Sequence, residues 1–360
     1  MDNYLNKIIH GNSIKILKKL PKNSIDVVFA DPPYNLQISK SLYRPDNSSV
    51  KGVMEDWDKF ESLKHYDKFT TDWINAIRSV LKPNGTFWVI GSYHNVYRLG
   101  YILQNLGFWI LNDIIWRKTN PMPNFRGKRF TNAHETLIWA AKSSNSKYTF
   151  NYEAMKSLNG DLQMRSDWVL PICTGNERLK DNEGKKLHPT QKPESLLNRI
   201  IMASSNIGDT ILDPFFGTGT TGVVAKRLNR NFIGIDDNLS YIKEAKKRID
   251  NTNTLEPNEM IQTSPKNQLP RIPFGTLLEK GLINPGELLT DIRKRWTAKV
   301  RADGSLISNQ SKGSIHSVGA DLQGLPACNG WTFWCVIRSG RLIPIDNLRS
   351  SLRSSILLNF

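Results

Sequence analysis

Two short stretches hold residues whose types and spacing could do chemistry. The first is Ala30-Asp31-Pro32-Pro33-Tyr34. It offers one carboxylate, two stiff backbone carbonyls and one aromatic ring. Each proline fixes its own φ and has no N–H to donate. An exocyclic amine on a flat base would give its two hydrogens to Asp31 and the Pro32 carbonyl, while Tyr34 stacks on the ring. That arrangement suits methylation of an adenine amino group. The same residues also read as a proline-stiffened turn closing a strand.

The second stretch runs from Thr210 to Gly222 and reads as strand, glycine-rich turn, then helix. Gly217 and Gly219 let the backbone approach a ligand where a Cβ would clash. A helix starting near Thr220 points free N–H groups into the turn. The following strand, Asn231 to Ile235, ends at Asp236. An acid roughly 20 residues beyond such a turn suits ribose hydroxyls. The turn departs from G-x-G-x-x-G spacing, which disfavours a nicotinamide cofactor.

Both stretches need a strand end to present them. The apolar run Ile25-Asp26-Val27-Val28-Phe29 predicts a buried strand leading into Asp31. Phe69, Trp73, Ile77 and Val80 recur at helical spacing, so a core-facing helix is predicted from Tyr66 to Leu81, ended by Pro83-Asn84-Gly85. Strands over Thr86–Ile90 and Trp109–Trp116, with a helix over Asn95–Leu106 between them, continue the alternation. The pattern predicts an α/β fold, a mostly parallel sheet with helices on both faces. In such sheets ligands bind at the carboxyl ends of strands.

Together these residues resemble the S-adenosylmethionine-dependent DNA amino-methyltransferases. The Asp-Pro-Pro-Tyr tetrad precedes the Phe-x-Gly-x-Gly turn, the order of the beta group, a circular permutation of the Rossmann-like methyltransferase fold. Asn120 to Phe125, Asn132 to Thr136, His188 to Glu194 and Cys328-Asn329-Gly330-Trp331 further resemble the cell-cycle-regulated, CcrM-type adenine methyltransferases that modify GANTC. The resemblance covers nearly the whole chain. It implies that Asp31, Pro32, Pro33 and Tyr34 are catalytic. It implies a cofactor lining of Phe29, Ala30 and Asp31, then Asp213, Phe215, Phe216, Gly217, Thr218, Gly219 and Thr220, with Asp236. Thr190, Gln191 and Lys192 would border the methionine end. Asn12 stands where the family usually carries Asp for the cofactor's adenine, and its amide oxygen can still accept. A homodimer acting on double-stranded DNA in a bacterial cytoplasm, associated with the nucleoid, is also implied.

Composition agrees with an anionic partner. Lys and Arg number 49 against 33 Asp and Glu, a formal charge of +16. Frequent lysine in an otherwise ordinary protein would give the same excess. Cys173, Cys328 and Cys335 show neither metal spacing nor a disulfide framework, and no metal is expected. His134-Glu135 lacks a third ligand at useful spacing. No apolar run reaches the ~20 residues of a membrane span, and the N-terminus shows no signal-peptide pattern.

Residues 1–250 are therefore expected to form the methyltransferase domain, 251–270 a linker, and 271–360 a small β-rich domain. Residues 35–65 read as a long loop that either closes over DNA, using Leu42 and Arg44, or is a disordered insertion. Residues 117–133 mix basic and aromatic side chains, with Asn124, Arg126 and Arg129 as DNA contacts. Residues 142–187 are polar and weakly periodic, and Arg165 to Trp168 are further candidates for touching DNA. Residues 260–360 carry 13 Lys or Arg against 6 Asp or Glu, a net of +7. A hairpin over Thr297–Ile307 would present Lys299 and Arg301 to DNA, and Trp331 to Ile337 reads as a further strand with Trp331 a contact. Dimerisation or stability is the rival role for this domain. A cytosine-N4 enzyme would share the core but usually has Ser where Asp31 stands. An RNA amino-methyltransferase would share the core too, though the added C-terminal domain favours DNA. A binding-only protein would keep the basic surfaces without needing the tetrad.

Overall fold

A computed structural model describes residues 1–36, 42–43, 49–50, 58–124, 127–180, 184, 186–255 and 272–357. The chain divides into two compact units, Met1–Thr263 and Ser264–Phe360.

The first unit opens with β1 (Lys7–His10), α1 (Ser13–Leu17) and β2 (Ile25–Ala30). A small antiparallel hairpin, β3 (Leu42–Tyr43) with β4 (Ser49–Val50), follows. Next come α2 (Leu63–Val80), β5 (Leu81–Gly91), α3 (Val96–Asn105), β6 (Trp109–Lys118) and β7 (His134–Ala141). Then α4 (Tyr152–Ser157), β8 (Asp167–Leu170), α5 (Glu194–Ser204), β9 (Thr210–Asp213), α6 (Thr220–Arg227), β10 (Asn231–Asp236) and α7 (Leu239–Asp250) complete it. Eight strands form one sheet in the order β1-β10-β9-β2-β5-β7-β6-β8.

Strands β1, β10, β9, β2 and β5 are parallel, and β6 with β8 is parallel. Strand β7 runs against both its neighbours, β5 and β6. A parallel return needs a crossover of a dozen or more residues, usually helical. Among the described residues no helix stands between β6 and β7, and the chain turns straight back. The sheet is thus mostly parallel, as expected, with one reversal that alternation alone did not indicate.

Alternation along each strand divides the core into two. Val28 and Ala30 of β2, with Phe87 and Val89 of β5, pack with Trp73 and Ile77 of α2 and Leu99 of α3. Val27 and Phe29, with Trp88 and Ile90, pack with Leu196 and Ile200 of α5 and Val223 of α6. The period of two sends neighbouring residues to opposite faces, so both faces are helix-covered.

Pro83-Asn84-Gly85 does not end α2. The helix stops at Val80, and those residues lie inside β5, where the register with β2 shifts between Ile25 and Val27. Gly85 permits the shift, since a Cβ there would meet the Asp26 carbonyl at 2.9 Å. No helix among the described residues is long and apolar enough to cross a membrane.

The second unit contains α8 (Phe274–Glu279), β11 (Leu288–Asp291), β12 (Thr297–Val300), β13 (Leu306–Ile307), β14 (Lys312–Gly313), α9 (Ile315–Gln323), α10 (Gly330–Phe333), β15 (Trp334–Arg338), β16 (Arg341–Pro344) and α11 (Ile345–Leu357). Its antiparallel sheet has the order β14-β13-β12-β11-β15-β16. The expected hairpin is present: β12 pairs with β13, and Gly304 takes φ 77° between them. The strand expected from Trp331 is corrected. Asn329 Oδ1 accepts the Trp331 N–H at 3.2 Å and starts the short α10, so the strand begins only at Trp334.

Candidate active site

Parallel strands carry their carboxyl ends to one edge. In sheet order that edge presents Asn12 just past β1, Asp236 of β10, Asp213 of β9 and Asp31 just past β2. Because β7 is reversed, its first residues, His134 and Glu135, reach the same edge, opposite Arg117 at the end of β6. The Thr220 hydroxyl donates to the Lys192 carbonyl at 3.2 Å, which fastens the lead-in to α5 beside the glycine turn. The two motifs are brought together, and three residues not assigned to catalysis join them: Glu135, Lys118 and Lys192.

Lys192 Nζ lies 2.6 Å from Asp31 Oδ2 and 3.9 Å from Glu135 Oε2. Lys118 Nζ lies 2.7 Å from Glu135 Oε1, and Tyr34 Oη donates to Glu135 Oε2 at 3.0 Å. The side chains of Lys192, Asp31 and Glu135 are 8%, 15% and 13% exposed, so water screens this network little. Burial pushes the Asp31 carboxyl up, opposed by Lys192. Burial also works against a charged Glu135, but Lys192 and Lys118 outweigh it and hold that carboxyl below its usual range. Lys192 is disfavoured by burial yet ends raised, because Asp31 and Glu135 face it. Tyr34 is pushed well above its ordinary value, first by burial and then by Asp31 and Glu135, and stays a protonated donor.

The glycine turn needs a backbone that only glycine adopts freely. Gly217 takes φ 51° and Gly219 φ 79°, both left-handed, and a Cβ on Gly217 would meet His188 Nε2 at 3.3 Å. Gly219 is the N-cap of α6. Asp236 Oδ2 accepts the Gly217 N–H at 2.7 Å and Oδ1 accepts the Asn238 N–H at 2.9 Å. Each carboxylate oxygen keeps further acceptor capacity. Asp213 is buried; Thr221 Oγ1 donates to it at 2.5 Å and the Phe215 N–H at 3.0 Å. Burial pushes its carboxyl up to about 7, against those two bonds. His188 is held down to about 4 by burial and then by Lys192 and Arg178, so the ring is neutral at pH 7.

Several expected site residues have other work. Phe29 and Ala30 point into the two cores. Phe216 stacks on Phe232, and a Cβ on Gly234 would meet its ring at 2.4 Å, so it is a core side chain over β10. Phe215 is partly exposed against Phe69 and Trp73. Thr218 and Thr220 are buried and tied to Arg248 through the Thr218 carbonyl and the Thr220 hydroxyl. Gln191 joins the Leu179 N–H to the Glu177 carbonyl, and Lys192 donates to Asp31. The Thr190 N–H is turned to His188 Nδ1 at 3.2 Å. Asn12 is exposed and caps α1, its Oδ1 accepting the Lys15 N–H at 3.1 Å. Behind the tetrad, Tyr66 Oη donates to the Pro33 carbonyl at 3.0 Å.

Among the DNA-contact expectations, Arg44 and Arg126 lie outside the described residues, and Leu42 is described as the first residue of β3 only. The Asn124 carbonyl accepts the Gly127 N–H, and exposed Arg129 donates to Tyr93 Oη at 3.2 Å. Phe130 beside it is fully exposed. Lys299 stands on the open face of β12, where Ala298 and Val300 face inward. Arg301 lies 3.7 Å from Asp303. Trp331 is corrected: it is buried in the second unit's core, edge-on to Phe274 and covered by the Arg349 guanidinium at 4.1 Å, which leaves no open face for a base. Trp168 is buried as well, while Arg165 pairs with Asp167 at 2.7 Å. No group of His, Cys, Asp and Glu among the described residues could hold a metal ion.

The sequence profile of the DNA methylase family matches residues 25–247, which span both motifs and the network between them. The chain belongs to the DNA methylase family. A second profile, Restriction Enzyme Adenine Methylase Associated, matches residues 256–357 of this DNA methylase. It is 46% identical over 349 residues to the Type II methyltransferase M.HinfI of Haemophilus influenzae, covering 97% of each chain. The solved M1.HpyAVI–SAM complex is 30% identical, with a TM-score of 0.50 over 68% of this chain and 98% of that one. The PvuII DNA methyltransferase, described as cytosine-N4-specific, gives a TM-score of 0.52 at 22% identity over 71% of this chain and 88% of that one, a likeness of fold alone.

Proposed function

We propose that this DNA methylase transfers a methyl group from S-adenosylmethionine to the N6 amine of a flipped adenine in double-stranded DNA, at GANTC, and works as a homodimer of the cell-cycle-regulated type. The observation that carries the adenine reading is Asp31, a buried acceptor at the end of β2 beside Tyr34 and one strand away from the glycine turn. An adenine amine offers two hydrogens, and a carboxylate accepts more strongly than a serine hydroxyl at the same place. The match of the second unit to an adenine-methylase-associated profile supports the same choice over cytosine.

The residues fit the cofactor. The left-handed turn at Gly217 and Gly219 leads into the N-terminus of α6, Asp236 offers acceptor capacity for ribose hydroxyls, and the partly exposed Phe215 offers an apolar surface. When bound, the cofactor supplies an electrophilic methyl group on a sulfonium. The chain's own residues do the rest. Lys192 occupies Asp31 Oδ2 and favours its charged form; Oδ1 and the Pro32 carbonyl are assigned to the two amine hydrogens. Those bonds localise the nitrogen lone pair and stabilise the positive charge that grows on the amine. Tyr34 stacks on the extruded base, at ~1–3 kcal/mol against an unstacking cost of a few kcal/mol. Positioning contributes much of the remaining rate.

Arg129, exposed Phe130 and Asn124 border this edge in the chain between β6 and β7 and are assigned to DNA, as are Lys299 and Arg301 of the second unit. Methylating a plasmid and sequencing its modified bases tests the proposal. Modified adenine confined to GANTC supports it; modified cytosine, or adenine in an unrelated sequence, overturns the corresponding part.

A further inference from the structure

Tyr34 is held at both ends by carboxylates that belong to neither motif. At its root, Asp58 is only 3% exposed. Asp58 Oδ1 accepts the N–H groups of Tyr34 at 2.6 Å and Asn35 at 2.8 Å, and Oδ2 accepts that of Leu36 at 2.8 Å. Asn35 takes the left-handed φ of 55°, the conformation that turns successive N–H groups toward one anion. At its tip, Tyr34 Oη donates to Glu135 Oε2 at 3.0 Å, and Glu135 is in turn fixed by Lys118 at 2.7 Å. Asp58 is 24 residues from Tyr34 and Glu135 is 101 residues away. A tyrosine ring otherwise turns about two side-chain torsions. Holding the backbone and the hydroxyl oxygen together fixes the first torsion and the direction of the ring's long axis; the second torsion is restrained only through the preference of the phenolic O–H to lie in the ring plane as it points at Glu135.

We infer that Asp58 and Glu135 are positioning residues of the reaction, clamping Tyr34 by its backbone and its hydroxyl so that its ring is held in place where the target base stacks. The inference rests on the reading of Tyr34 as the stacking residue. Its rival is that Glu135 acts through Lys192, 3.9 Å away, on Asp31. The clamp predicts that the two ends of one hydrogen bond are equivalent, whereas the rival makes Glu135 matter even when the tyrosine hydroxyl is gone.

A double-mutant cycle on the full chain separates them, with turnover measured on duplex DNA and cofactor affinity measured by calorimetry. Tyr34→Phe keeps the ring and removes the hydroxyl; Glu135→Gln keeps the shape and weakens the acceptor. Each is expected to lower kcat by about 10- to 100-fold, the scale of one hydrogen bond to a charged group. KM for DNA changes less, cofactor affinity stays within about twofold, and the double variant is no worse than the poorer single one. Asp58→Asn, which presents an amide instead of an acceptor to one of the three N–H groups, lowers kcat with the same unchanged cofactor affinity. The clamp is overturned if Glu135→Gln costs as much in the Tyr34→Phe background as in the wild type. It is equally overturned if Asp58→Asn loses cofactor affinity in step with turnover, as general destabilisation would cause. A wild-type enzyme that methylates no adenine refutes the underlying functional reading instead, so the two failures are distinct.

Discussion

Lys192 Nζ sits 2.6 Å from Asp31 Oδ2, joining residues 161 apart in sequence within a site that is nearly closed to water. Burial raises the Asp31 carboxyl and the pair opposes that rise, so Lys192 favours the charged form of the acceptor. Removing either partner of such a pair strands the other.

Lys192→Met is therefore expected to move the acid side of the pH–rate profile upward. Burial raises the Asp31 pKa and Lys192 lowers it, so without the lysine the carboxylate form is lost at a higher pH as pH falls. The variant should lose turnover at a higher pH than the wild type does as pH falls, and regain it as pH rises. Single-turnover rates across a pH series check this, and an unmoved acid side would remove Lys192 from the control of Asp31.

Asp213 gives a stability prediction of the opposite kind. Its folded-state pKa of about 7 lies above its ordinary value of 3.8, so its contribution is present at low pH and lost as pH rises through 7. The cofactor-free protein should lose up to about 4 kcal/mol by pH 8 from this group, a ceiling set by ~1.4 kcal/mol per pKa unit. Asp213→Asn should flatten that dependence and be the more stable form at pH 8. Denaturant midpoints at pH 5 and pH 8 measure it; parallel curves would show that Asp213 does not titrate in the fold.

Asp236→Ala should weaken cofactor binding by ~1–3 kcal/mol, the scale for losing bonds to a charged acceptor. It also strips the Gly217 N–H of its partner, which loosens the turn itself. Calorimetry that finds unchanged affinity would take Asp236 out of the site.

How much of this was legible in the sequence follows from locality. Asp31-Pro32-Pro33-Tyr34 and the glycine turn are continuous stretches whose backbone demands are written in proline and glycine, and the structure brings them to one edge. Glu135, Lys118 and Lys192 join them only because β7 is reversed and α5 starts beside the glycine turn, facts of topology that no local pattern encodes. The same holds for Asp58, which meets Tyr34 across a 24-residue separation. One aromatic misled in the other direction. Trp331 has the ring chemistry of a base contact, yet large apolar side chains are most often buried, and here it is. Asn12 reads as a cofactor acceptor, and its oxygen also serves a helix N-cap while keeping a second lone pair, so the two roles are compatible.

In the second unit, Lys299→Ala should weaken DNA binding and lower the salt slope of log K by about 0.9, one phosphate contact. Arg301→Ala should do less, since Asp303 already faces that guanidinium at 3.7 Å. Oligomeric state should not change in either variant. Equal affinity and slope across a salt series would leave this unit a structural or dimerisation role.

On the proposed mechanism, Asp31 accepts hydrogens from an adenine amine. The most direct test is mass spectrometry of nucleosides from duplex DNA treated with S-adenosylmethionine and either the wild-type protein or Asp31→Asn. N6-methyladenine from the wild type, reduced at least ~100-fold by the variant while calorimetric cofactor affinity holds, is the predicted result. N4-methylcytosine from the wild type, or undiminished N6-methyladenine from the variant, would contradict it.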